Sequence, residues 1–342
     1  MQIAREPIFR STLRSFFATL AIIIGIGFGC IVVAIAATAF TNTISFPSLS
    51  QATLAPNAQD LILAKPSNTP VILRINLHGV VGLDGLSSSK INDLLIDSRN
   101  QFMDGKLIKA IFLHINTPGG MATDSQVIYQ KIKDYKNRYQ VPVYAYVEGL
   151  CASGGMYIAS AADKIYSTSS STIGSVGVRM GPIFNFCDGL DKLGIKALTL
   201  TAGKNKDTLN PFRPWTETEG KEMQELINQN YVQFLAAVTE GRPRLSKEKL
   251  VAEYGAQVFL GPEAEKLGYV DNGDATYGQA LQDLVRACNI DGDNYQVVQL
   301  SSPTPLFSSI QNKLKAKENF LEEMHPLFAK EFRGRALFLY VP

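Results

Sequence analysis

The sequence predicts an α/β domain, a parallel-rich sheet covered by helices, held behind one N-terminal transmembrane helix. Three observations lead there. An uncharged apolar run extends from Phe16 to Phe40, apolar strand-like segments alternate with helix-period segments between Val71 and Asn289, and glycine-rich turns follow the strands directly. A chain of 342 residues has room for one large α/β domain or two modest ones.

The N-terminal run comes first. Crossing a bilayer as a helix takes about 20 apolar residues, and Phe16–Phe40 meets that length without a charge. Arg5, Arg10 and Arg14 precede it, while Thr41, Asn42 and Thr43 behind it are uncharged. Basic flanks stay on the cytoplasmic side, so residues 1–15 are expected to be a cytoplasmic N-terminus and 16–40 a single-pass anchor. The body of the protein is then expected on the far side of the membrane from the cytoplasm, the extracytoplasmic side. Ala37-Thr38-Ala39 also fits a small-x-small cleavage site, the mark of a signal peptide. Signal h-regions run only about 7–15 residues, shorter than this run, which favours a retained anchor.

Residues 41–70 shift to Ser, Thr, Asn, Ala and Pro, with Pro47, Pro56, Pro66 and Pro70 among them, and read as a stalk or linker. The globular domain is expected over 71–290. Its strands are Val71–Leu77, Leu107–Ile115, Val141–Val147, Lys164–Ser167, Ile173–Val178 and Ile195–Thr201. Its helices are Ser88–Gln101, Thr123–Arg138, Thr216–Gly241, Lys247–Glu253, Pro262–Leu267 and Tyr277–Cys288. In sheets of this kind sites form beyond the carboxyl ends of the strands, where the glycine turns fall. Residues 291–342 read as a C-terminal tail without an assigned role.

Charge excludes one class of partner. With 33 basic against 31 acidic residues the net charge is only +2, and no basic surface is concentrated for nucleic acid. The four cysteines, Cys30, Cys151, Cys187 and Cys288, are scattered without CxxC spacing. Neither a metal site nor a disulfide framework is indicated, and no cofactor is expected.

Four local features carry chemistry. Ser153 stands in Gly149-Leu-Cys-Ala-Ser-Gly-Gly-Met-Tyr157 at a helix start, and the amide of the residue behind such a serine can bind an oxyanion. Asn116-Thr-Pro-Gly-Gly120 follows an apolar strand and offers further unobstructed amides. Gly174-Ser175-Val-Gly177 sets a hydroxyl between glycines. Ala202-Gly-Lys204-Asn-Lys206-Asp207 supplies two lysines after an apolar segment. A lysine serves as a general base only when neutral. Its reference pKa is about 10.4, so an apolar pocket must depress it before it can take a proton from a serine. Taken singly, the four are a turn serine, a strand-to-helix turn, a tightly packed strand and solvated lysines. A histidine base is poorly placed: of the three histidines, His78 and His114 precede Ser153, and His325 lies in the tail.

In this order, Asn-Thr-Pro-Gly-Gly, Ala-Ser-Gly-Gly-Met-Tyr-Ile-Ala, Ile-Gly-Ser-Val-Gly-Val and Gly-x-x-Lys-Asp, the segment from about Val71 to Asn289 resembles the signal peptide peptidase A (protease IV) family, in its short, single-copy, membrane-anchored form. Gly241-Arg242 and Val258–Asp271 also resemble the family's arginine-containing turn and following helix. The resemblance implies a crotonase/Clp-like spiral of ββα units and a serine endopeptidase working through a Ser/Lys dyad. Ser153 would be the nucleophile, Lys206 the base and Ser175 the residue that holds the amine. Gly154 with Gly120 or Gly119 would form the oxyanion hole. Lys206 is preferred to Lys204 because it stands directly before a short polar residue, Asp207. Implied substrates are remnants of cleaved signal peptides and other unfolded or membrane-released peptides, and the implied assembly is a dome-shaped homo-oligomer. Three positions depart from the family pattern: Thr117 for serine, Cys151 before the Ala-Ser pair and Met156 for an aromatic. Thr117 and Met156 are expected to reshape the substrate groove.

The alternatives are a Clp-type peptidase, which needs a histidine after the nucleophile, a crotonase-like acyl-transfer enzyme, which needs neither lysine nor anchor, and an idle membrane scaffold. A last expectation concerns Leu337-Phe-Leu-Tyr-Val-Pro342, an apolar end behind Arg333-Gly-Arg335. It reads as an ordinary terminal element or as a product-like plug in a substrate groove.

Overall fold

The computed structural model describes residues 8–43, 50–83, 85–102, 107–301 and 337–339. Most of the predicted tail, His325 included, and the first residues of the cytoplasmic segment lie outside these. The chain divides into two compact units, Met1–Leu49 and Ser50–Pro342. The first holds helix α1 (Ile8–Thr43). Its described side chains are exposed, Phe16, Ile22, Ile26 and Phe28 among them. Among the described residues no helix is long and apolar enough to cross a membrane. The run expected to do so, 16–40, continues past the side chains that are described.

In chain order the second unit contains β1 (Gln51–Ala55), β2 (Val71–His78), α2 (Ser88–Gln101), β3 (Ile108–Thr117), β4 (Gly119–Met121), α3 (Ala122–Tyr139), β5 (Val143–Ala152), α4 (Gly154–Ala159), β6 (Lys164–Ser167), β7 (Thr172–Gly174) and α5 (Cys187–Lys192). It continues with α6 (Lys221–Gly241), α7 (Lys247–Lys249) running into a π-helical turn at Leu250–Tyr254, β8 (Val258–Leu260), α8 (Gly261–Leu267), α9 (Tyr277–Ala287), β9 (Gln296–Ser301) and β10 (Leu337–Leu339). The main sheet runs β1-β9-β2-β3-β5-β7-β8, with β6 also paired to β5. Its interior pairings are parallel, and the outer pairs β1–β9 and β7–β8 are antiparallel.

Helices cover both faces, which is why β3 and β5 are apolar almost throughout rather than alternating. On one face Leu113, Ile115 and Val147 pack with Met156 and Ile158 of α4 and Phe234 and Val238 of α6. On the other, Phe112, Tyr144 and Tyr146 pack with Leu281, Leu284 and Val285 of α9. Local signals agree with the packing. Ser87 caps α2 through the Lys90 amide, and Thr276 with Gln279 forms a capping box at α9.

Three expectations need correction. Part of the predicted stalk and part of the predicted tail are strands of the main sheet, since β1 pairs with β9 and β9 with β2. Val297, Val298 and Leu300 of β9 are buried, and β9 lies between the edge strand β1 and β2, partners that no local pattern in either segment reveals. Ile195–Thr201, expected as a strand, has no regular structure, and Leu198 and Leu200 are 85% and 84% exposed. An extended segment becomes a strand only beside a partner ladder, and among the described residues none pairs with it. The long helix expected from Thr216 starts at Lys221, behind Gly220 at φ 79°.

Candidate active site

The strand register assembles the site. Thr117 of β3 lies opposite Cys151 of β5, and Cys151 lies opposite Ile173 of β7. Two residues beyond these three positions stand Gly119, Ser153 and Ser175. The three turns read separately in the sequence are therefore neighbours at the carboxyl ends of adjacent strands.

Ser153 joins β5 to α4 with φ 53° and ψ −115°, a conformation that costs a non-glycine residue about 1–3 kcal/mol. The surroundings hold it there. Its amide donates to the Gly174 carbonyl at 2.9 Å, and its carbonyl accepts from the Tyr157 amide at 3.0 Å. Behind it, a Cβ on Gly155 would stand 2.7 Å from Thr117 Cγ2, so only glycine lets α4 approach β3 this closely. The side chain is deeply buried, at 1% exposure. Neighbouring Cys151 is buried too, and burial pushes its thiol up to about 12, which leaves it inert as a nucleophile.

The glycine turn of β4 is braced from two sides. Thr117 Oγ1 donates to the Gly79 carbonyl at 2.5 Å and accepts from the Gly119 amide at 3.1 Å. The Val81 amide donates to the Gly119 carbonyl at 2.8 Å, and the Met121 amide to the Val81 carbonyl at 2.9 Å. A Cβ on Gly120 would fall 2.0 Å from the Val81 oxygen. The Gly119 amide is thus held by Thr117, which separates it from Gly120 as a donor. The 79–82 loop that buttresses this turn was not singled out in the sequence, although its glycines follow an apolar strand just as Gly119 and Gly120 do. Thr117 and Met156 are fully buried, at 0% exposure, and Met156 belongs to the core. Both brace the site from behind, which corrects the expectation that they reshape the groove.

Ser175 mirrors Ser153: its φ is 55°, it is buried, and its amide donates to the Gln257 carbonyl at 2.7 Å. The lysines do not join them. Lys204 and Lys206 are exposed. Lys206 lines a cleft with Gly203, Asn205, Asp207, Arg213 and Glu219, which includes neither serine. Arg213 binds Asp207 at 2.5 Å and Glu219 at 3.0 Å, and it holds both carboxyls below their ordinary range. This folded segment belongs to a stretch with Phe184, Phe186, Leu193, Ile195, Leu198 and Leu200 exposed.

The two described histidines are occupied elsewhere. His114 Nδ1 meets His78 Nε2 at 2.7 Å, and its Nε2 meets Glu148 Oε2 at 3.0 Å. Its ring stacks on Tyr146, in the layer under α9 and on the opposite sheet face from α4. Burial, helped by Arg74, lowers its pKa to about 4, so it is a neutral, packed histidine. Arg242 is likewise structural. It is buried, pairs with Asp271 at 2.5 Å and donates to the carbonyls of Ala162 and Asp163, which ties the end of α6 to the segment behind α4.

Fold and site define an α/β protein with a serine on a strained strand-to-helix turn beside a double-glycine edge. The family model for peptidase family S49 matches residues 135–289, and that for Clp protease matches 89–173. A candidate protease of Synechocystis sp. is 30% identical over 71% of this chain and 83% of its own length. A candidate protease of Methanocaldococcus jannaschii is 35% identical over 56% of this chain, and a candidate signal peptide peptidase SppA of Enterococcus faecium is 28% identical over 61%. The chain spans 60% and 61% of the length of these last two relatives. The chain belongs to peptidase family S49, the signal peptide peptidase A family that its motif order resembles. The Clp match agrees with the α/β architecture.

Proposed function

We propose that this chain is a membrane-anchored serine endopeptidase. Ser153 attacks the scissile carbonyl, the amides of Gly154 and Gly120 hold the oxyanion, and Lys206, oriented by Ser175, takes the serine proton. As the scissile C–N bond breaks, Lys206 returns the proton to the leaving amine; it then takes a proton from water, which hydrolyses the acyl-enzyme ester and frees Ser153. The observation that carries this reading is Ser153 itself, a buried serine kept at positive φ beside the Gly119–Gly120 edge. Strain of this kind persists at functional turns because the surrounding contacts over-determine it.

Lys206 is exposed in the single chain, whereas a neutral lysine base needs a dry pocket. The exposed apolar segment 183–200 supplies the means: a second copy of the chain covers it and encloses the lysine in the same step. This supports a homo-oligomer as the working form. The run Phe16–Phe40 supports a retained anchor with the globular unit on the periplasmic or extracytoplasmic side of a bacterial inner membrane. A site held near a bilayer suits cleaved signal-peptide remnants and other unfolded, membrane-released peptides.

A fluorophosphonate probe tests the core of the proposal. It is expected to label the wild-type protein and not Ser153→Ala. Equal labelling of both rejects Ser153 as the nucleophile, and labelling of neither favours the idle scaffold. A Clp-type triad is the second reading, favoured by the Clp match over 89–173. It requires His325 as base, so His325→Ala would then abolish turnover.

A further inference from the structure

Lys206 is followed directly by a carboxylate, Asp207, and a nearby anion favours the protonated amine over the neutral base. The structure shows where that charge goes. Asp207 Oδ2 accepts from Arg213 Nε at 2.5 Å, and its Oδ1 accepts from Asn210 Nδ2 at 2.6 Å. Arg213 Nη2 also donates to the Asp207 carbonyl at 2.6 Å, so one guanidinium grips both the side chain and the main chain of the residue behind Lys206. Its other donor hydrogens reach Glu219 Oε2 at 3.0 Å, Glu219 Oε1 at 3.1 Å and the Pro214 carbonyl at 2.9 Å. Glu219 in turn accepts from the Leu209 amide at 2.5 Å and the Thr216 amide at 3.3 Å. Arg213 is thus the hub that folds residues 207–219 into one loop. Among the described residues no ion pair joins Lys206 to an acidic group.

We propose that Arg213 is the positioning residue of the general base: it fixes the loop that carries Lys206 and withholds the Asp207 carboxylate from the amine. The proposal rests on reading Lys206 as the base, and it names the group that controls the base's charge. Of the other charged groups around the amine, Glu219 is engaged by the same guanidinium, and Glu222 accepts from the Asn205 side chain. Lys221 lines the same cleft and Lys204 stands two residues ahead, and both cations oppose protonation of Lys206. A guanidinium suits the task because it stays charged at every working pH and its planar fork reaches two carboxylates at once. A lysine in its place offers a charge without the fork.

The test follows kcat/KM for an unstructured peptide from about pH 6 to about pH 10, in full-length wild type, Arg213→Gln, Arg213→Lys and the double variant Arg213→Gln/Asp207→Asn. Arg213→Gln is expected to move the acid limb up by about one pH unit, about a tenfold loss at the acid end, and to approach wild type at the alkaline end. Removing the carboxylate as well is expected to bring the limb back, because the anion that Arg213 had engaged is then gone. Arg213→Lys is expected to fall between wild type and Arg213→Gln. A loss equal at every pH, unrelieved by Asp207→Asn, would make Arg213 a structural support only and overturn the proposal. So would a wild-type profile in Arg213→Gln while Lys206→Ala is inactive, a result that keeps the base and rejects its partner. Full turnover by Lys206→Ala would refute the base itself, and the proposal with it.

Discussion

The amide of Ser153 donates to the carbonyl oxygen of Gly174 at 2.9 Å, which bolts the turn of the proposed nucleophile to the turn of Ser175. Both serines hold positive φ, and both are fixed by a backbone bond to the next element across. The two hydroxyls are thus positioned by main chain rather than by flexible side chains, the arrangement that preorganised catalysis requires.

Gly174 is the pivot of that bond, and its substitution should be costly. Its φ is 127°, and a Cβ there would stand 2.6 Å from the Gln257 carbonyl oxygen. The obstacle is backbone, so β7 must shift and carry the acceptor of the Ser153 amide with it. Gly174→Ala is expected to lower stability by about 2 kcal/mol. It should also slow fluorophosphonate labelling of Ser153 by about 10²-fold, because misplacement alone has that effect. Urea unfolding and labelling rates check the two separately.

Exposure does not separate the two lysines; the preference for Lys206 rests on Asp207 directly behind it. Both are solvent-facing in the single chain, so neither alanine variant should change the free energy of unfolding by more than about 0.5 kcal/mol. Lys206→Ala is expected to lower kcat by about 10³-fold or more, the effect of losing a general base, and Lys204→Ala to stay near wild type. The opposite outcome in a steady-state assay would move the base to Lys204.

The exposed segment ahead of these lysines predicts an assembly. Leu198 and Leu200 are 85% and 84% exposed, an unusual state for adjacent large apolar residues unless another surface covers them. In sedimentation velocity the wild-type protein is expected to run as an oligomer and Leu198→Asp/Leu200→Asp as a monomer. Turnover should fall together with the oligomer, since the lysine pocket is then open to water. A double variant that remains assembled and active would refute the arrangement.

Much of the fold was legible because its central strands are buried on both faces and its helices carry their own caps and periodicity. Val71–His78, Ser88–Gln101 and Lys164–Ser167 differ little from their sequence reading. The turns at Gly119, Ser153 and Ser175 were legible as small-residue breaks after apolar strands, although only the register shows them to be neighbours. What stayed hidden depends on partners far away in the chain. β1 is a strand because of β9 and β9 because of β1 and β2, Thr117 is a brace because α4 packs on it, and among the described residues 195–201 has no pairing partner. No local pattern in those residues encodes such relationships.

His114 makes stability depend on pH, with a sign set by burial. Its folded pKa of about 4 lies below the 6.5 of an unfolded histidine, because desolvation and Arg74 disfavour the imidazolium. Glu148 offsets this only weakly, its side chain being 62% exposed and screened by water. The native state therefore binds fewer protons than the unfolded state between these values. The contribution is fully present above about pH 6.5, is lost as pH falls towards 4, and is level below that. The loss should amount to about 3 kcal/mol. Urea midpoints measured from pH 7.5 to 4 are expected to fall accordingly. They should fall less in His114→Phe, which keeps the stacking on Tyr146 and removes the titration. Parallel pH profiles for the two proteins would assign the acid sensitivity to other groups.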